Sequence, residues 1–117
     1  MANPVWDGLV TYVTWTASQA STSFNVAAGT GAITFILPDL ATDTTANLQG
    51  LDPIDKTTWR NVEALDVTAG SGASDPIVLT ESKYIVVPAS AIGLGTFRLN
   101  APTTAQTGTA TILIDRI

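Results

Sequence analysis

Over short runs of this chain, apolar, aromatic and β-branched residues recur at every second position, and Gly, Pro, Asp and Ser break the runs. A period of two puts alternate side chains on opposite faces, which a β-strand needs and a helix does not. Residues 9–16 set the pattern. Leu9, Val13 and Trp15 fall on one face, with Val10, Tyr12 and Thr14 on the other. Residues 32–37 repeat it, with Ile33, Phe35 and Leu37 opposite Thr34 and Ile36, until Pro38 removes a ladder donor.

Residues 24–26 and 32–37 are expected to pair as a hairpin. Ala27-Ala28-Gly29-Thr30-Gly31 joins them and offers Gly where a tight turn needs positive φ. Residues 39–45 are turn-rich and able to close one helical turn. Further strands are predicted at 45–51, 59–67, 77–80, 83–87, 96–99 and 109–114. A single helical turn is expected within Pro88 to Gly95, and AGSGASD (69–75) reads as a turn. About eight short strands at this spacing predict an all-β, antiparallel sandwich, jelly-roll-like, in one domain over residues 9–117. Residues 1–8 are set apart as an N-terminal arm.

Composition narrows the function classes. The net charge is −5, and Lys56, Arg60, Lys83, Arg98 and Arg116 form no stripe, so no nucleic-acid partner is expected. No apolar run approaches a membrane span, and no membrane partner is expected. MANPVWDG has neither the basic nor the apolar region of a secretory signal, which points to synthesis in a cytoplasm. Charged residues are only 13% of the chain. A small domain with so little surface charge is expected to cover part of itself with partners.

With neither His nor Cys, the chain lacks the commonest general base, the commonest metal ligands and any thiolate nucleophile. No catalytic, cofactor or metal residue is assigned, and the chain is not expected to be an enzyme. Asp39 with Asp43, and Asp52 with Asp55, have spacings able to hold a hard cation, but they lack the Gly-pinned pattern of a calcium loop. They read as turn residues. Glu63 and Glu81 offer carboxylates without a motif that pairs them across a cleft. GTGAI and AGSGAS share only glycine with phosphate cradles. A small hydrolase with an unusual site is the least supported class.

The aromatics divide. Trp15 and Trp59 lie in alternating strands and read as core or sheet-face residues. Trp6, beside Pro4 and Val5, has two readings: a segment capping its own core, or an arm docking on a neighbouring subunit, where Trp is enriched. Pro4, Val5 and Trp6 are the interface residues expected on the second reading.

Several segments resemble β-sandwich proteins of tailed-bacteriophage virions. These are Leu48 to Gly50, Thr57 to Val62, Tyr84 to Pro88, Phe97 to Leu99 and Gly108 to Ile114, over the C-terminal two-thirds. DPIDKTTW departs from the usual Asp-Gly-Thr-Thr-Trp hairpin. The resemblance implies a capsid decoration (cement) protein, a homotrimer bound to the major capsid protein on the outer surface of a phage head. The alternative it implies is a tail- or fibre-associated binding module that recognises carbohydrate. Trp59 with Asn61 serves that reading if Trp59 faces solvent.

Overall fold

The structure, a computed structural model, describes residues 8–65 and 74–116. Among them are eleven strands and one helical turn. The strands are β1 (Gly8–Ser18), β2 (Ala20–Val26), β3 (Thr30–Ile36), β4 (Thr45–Leu51), β5 (Trp59–Asn61), β6 (Glu63–Leu65), β7 (Ser74–Pro76), β8 (Val78–Thr80), β9 (Tyr84–Pro88), β10 (Gly95–Asn100) and β11 (Gln106–Arg116). The helical turn α1 (Ala89–Ile92) separates β9 from β10. Pro4, Val5 and Trp6 lie outside the described residues. Gly8, placed with the arm from sequence, opens β1.

Every ladder is antiparallel, and the pairing is nested: β1 with β11, β2 with β10, β3 with β9, β4 with β8. The chain is thus one long two-stranded ribbon rolled over on itself. Rolling produces a four-stranded sheet ordered β1-β11-β3-β9. Facing it is a second sheet ordered β2-β10-β4-β5, with β8 also on β4. This is the jelly-roll form of the sandwich.

Alternation decides which side of each strand is buried. Val13 and Trp15 on β1, Ile33 and Phe35 on β3, and Ala110 and Ile112 on β11 form the inner side of the first sheet, all buried. They meet Phe24, Ala46, Leu48, Leu79, Phe97 and Leu99 of the second. Phe24 bridges the layers, edge-on to Phe35 at 5.8 Å and tilted against Phe97 at 6.0 Å. Gly50 lies beside this cluster, where a Cβ would meet the Phe97 ring at 3.4 Å, a van der Waals contact.

The ribbon turns corners on both strands at once, and each corner is tied to its partner. Ala17 (φ 48°) sits where the β1–β11 register shifts. Past it, the Trp15 Nε1–H donates to the Gln19 carbonyl at 3.0 Å. That carbonyl also accepts from the Ala101 N–H, and Gln19 Nε2 donates to the Ala101 and Pro102 carbonyls. The β3–β4 connection is bound likewise to the β8–β9 turn, through Leu40 N–H to Glu81 Oε2 at 2.7 Å and Glu81 N–H to the Thr44 carbonyl.

Three local expectations are corrected. Residues 24–26 and 32–37 do not form a hairpin: β2 and β3 lie in different sheets, and Gly29 (φ 90°) turns the chain from one layer to the other. Residues 39–45 form no helical turn: the segment is an irregular connection whose Leu40 and Ala41 N–H groups bond to the Glu81 and Gln106 side chains, and Thr45 already opens β4. The strand predicted over 59–67 is broken at Val62, whose N–H donates to the Leu48 carbonyl while its own carbonyl accepts from Ile77.

Candidate functional site

The carboxylates serve the scaffold. Asp43 reaches from the β3–β4 connection to the β10–β11 connection, where it accepts from the Thr103 hydroxyl and from the Thr103 and Thr104 N–H groups. The Thr103 hydroxyl holds its carboxyl below the usual value, with the two N–H groups and Gln106 adding to the effect against burial. Asp39 accepts instead from Ser82, so Asp39 and Asp43 serve different corners. Asp52 accepts from the Ile54 and Asp55 N–H groups, and Asp55 from Thr57 and Thr58. The Thr58 hydroxyl is the main reason the Asp55 pKa drops to about 2. Among the described residues, no three acidic groups gather where they could hold a metal ion.

The two outer sheet faces differ in chemistry. On the first sheet, register aligns Val10–Leu113–Thr34–Val86 across the four strands, and next to it Tyr12–Thr111–Ile36–Tyr84. Neither row carries a charge. Tyr12 (60% exposed), Tyr84 (65%) and Val86 (57%) stand open to solvent. Single exposed apolar residues are ordinary; here they stand on adjacent rows that share one sheet face.

The outer face of the second sheet is polar. Ser23–Arg98–Gln49–Asn61 form one row, and the pairs Asn25–Thr96 and Leu51–Trp59 line the next. The side chains bond laterally: Arg98 Nε donates to Gln49 Oε1 at 2.9 Å, Gln49 Nε2 to Asn61 Oδ1 at 3.1 Å, and Thr96 Oγ1 to Asn25 Oδ1 at 2.8 Å. The first bond helps carry the Arg98 guanidinium across β4 to 4.3 Å above the Trp59 ring. Burial lowers the Arg98 pKa, and a guanidinium stays charged regardless. Trp59 is half-buried on this outer face, while Trp15 is in the core. Sequence reasoning paired Trp59 with Asn61 but missed Arg98 and Gln49, which come from strands distant in the chain.

At the end of this face, a cleft of about 320 Å³ opens between the β4–β5 turn and the start of β10. Leu51, Lys56, Leu94 and Thr96 are among its lining residues.

No protein-family model matches the chain, and no curated protein matches its sequence. One solved structure similar to it is that of the SPBc2 prophage-derived protein YomS. It aligns over 97% of this chain and 98% of that chain, with a TM-score of 0.57 and 12% identity. The likeness is one of fold. It extends over nearly the whole of both chains and agrees with the sandwich described above.

Proposed function

We propose that the chain is a structural virion protein, a decoration protein that binds the major capsid protein on the outer surface of a phage head and stabilises it as a homotrimer. The observation that carries this reading is the pair of uncharged rows on the outer face of the β1-β11-β3-β9 sheet, with Asp115 in the row beyond them. A chain of net charge −5 repels its own copies, and least so across rows free of carboxylates. Aromatic anchors such as Tyr12 and Tyr84 supply much of the energy of interface cores. The prophage origin of YomS and the virion-type strand segments support the same setting. Attachment is passive, many weak contacts summed over a symmetric shell.

The test combines light scattering with binding to heads purified from particles lacking this protein. The wild-type chain is expected at three times its 12.1 kDa mass and on the heads. Tyr12→Asp with Tyr84→Asp is expected to lose about 2 kcal/mol or more of association per anchor, roughly thirtyfold each, while remaining folded. Undiminished head attachment by the double variant would count decisively against this face.

A second reading, a tail- or fibre-associated module that recognises carbohydrate, is favoured by the placement of Trp59 and Asn61 together on the solvent side of the second sheet.

A further inference from the structure

We infer that the outer face of the β2-β10-β4-β5 sheet binds an acidic saccharide, a pyranose oligomer bearing carboxylate or phosphate groups. Arg98 would take the anion, and Trp59, Asn61 and Asn25 the sugar. The inference deepens the carbohydrate reading and is independent of head attachment through the opposite sheet.

The hydrogen-bond directions on this face carry the argument. The carbonyl oxygens of Gln49, Asn61 and Asn25 each already accept one bond, from Arg98, Gln49 and Thr96. Each keeps one lone pair, and the free capacity of the face is mostly donor capacity. The Nδ2 hydrogens of Asn61 and Asn25, and the Nη hydrogens of Arg98, have no hydrogen-bond partner among the described residues. A face that offers donors selects a ligand rich in acceptor oxygens.

Charge points the same way. The ion pair on this side of the molecule is Arg60–Asp52, and Arg98 is bonded through its Nε to the neutral Gln49 amide. Neither central row of the face carries an acidic residue, although the chain as a whole is acidic. A guanidinium held by its Nε in one orientation presents a fork that matches a carboxylate or phosphate. The cleft at the end of the face, lined by both Lys56 and Asp52, adds a concave wall and leaves Arg98 as the anion anchor.

Shape and chemistry together favour a sugar over a protein. Interface cores between proteins are apolar, and the opposite sheet has that character. This face instead combines one half-buried indole with closely spaced amides, which suits a ring having apolar C–H faces and equatorial hydroxyls.

The experiment is ¹H–¹⁵N NMR titration of the full chain with tetragalacturonate, with a phosphorylated oligomannose and with neutral cellotetraose. The first two probes separate carboxylate from phosphate as the anion. An acidic probe is expected to shift the Trp59 Nε1–H and Arg98 Nε–H signals, and to bind roughly tenfold or more tightly than cellotetraose. Arg98→Gln is expected to remove that preference, Arg98→Lys to keep part of it, and Lys83→Gln, an exposed cation in the β8–β9 turn, to leave it unchanged.

No shift with any of the three probes at millimolar concentration would overturn both this inference and the carbohydrate reading. Cellotetraose binding as tightly as the acidic probes, or alone, would overturn the acidic preference only. Should Arg98→Gln fail to give a folded spectrum, the wild-type salt dependence decides. Affinity that falls between about 50 and 300 mM NaCl supports the ionic anchor, and a flat response overturns it.

Discussion

Replacing Trp15 with alanine is expected to remove about 3–5 kcal/mol of stability, a large share of what a domain of this size has. Trp15 is 1% exposed, packs between the sheets and holds the first ribbon corner through its Nε1–H bond to the Gln19 carbonyl. The substitution empties a large volume and removes the donor that fixes the chain where it changes sheets. Urea unfolding reads the effect as a lower midpoint with an unchanged slope. Trp59→Ala provides the contrast. Its ring lies on an outer face under Arg98, and its loss is expected to cost only about 1–2 kcal/mol. Equal losses at the two positions would mean that the sides of β1 and β5 have been misassigned.

The second large effect is on acid stability. Asp43 and Asp55 both have folded-state pKa values below the ordinary 3.8, Asp55 at about 2. A depressed carboxylate stabilises the fold fully above its unfolded-state value and loses that contribution as pH falls through the folded value. Thermal stability is therefore expected to fall between about pH 4 and pH 2. Asp43→Asn keeps the shape but turns one accepting oxygen into a donor facing the Thr103 and Thr104 N–H groups. The variant is expected to melt lower at pH 7, on the order of 5 °C, and to show a shallower acid limb. Melting curves from pH 7 to pH 2 check both, and an acid limb as steep as wild type would show that Asp43 does not carry the effect.

These two residues also show what is legible in a sequence of this kind. Trp15 reads as a core or sheet-face residue that shares a face with Val13, because local alternation is a property of one strand, and the fold places that face in the core. The same rule placed Trp59 in a strand but left its side open, since the strand is three residues long and breaks at Val62. The hairpin expected at Ala27 to Gly31 failed for another reason. Glycine signals that the chain turns, but not whether the next strand joins the same sheet or the facing one. The corner role of Asp43 was hidden because Thr103 and Thr104 are distant in sequence, so the residue read as a solvated turn. The Arg98–Gln49–Asn61 chain of bonds was invisible for the same reason: its three members come from three strands whose register only the folded sheet defines.

The nested ribbon has a consequence in time. Among the described residues β1 borders no strand but β11 in its sheet, and Gly8 pairs with Asp115. During synthesis β1 must wait, with Val13 and Trp15 uncovered, until nearly all the residues between it and β11 have been made. Pairing of such remote segments closes large loops before any contact rewards them, so folding is expected to be slow and to finish only after β11 is free. The waiting β1, an uninterrupted run without Pro or charge, is then the segment most open to pairing with another copy of itself.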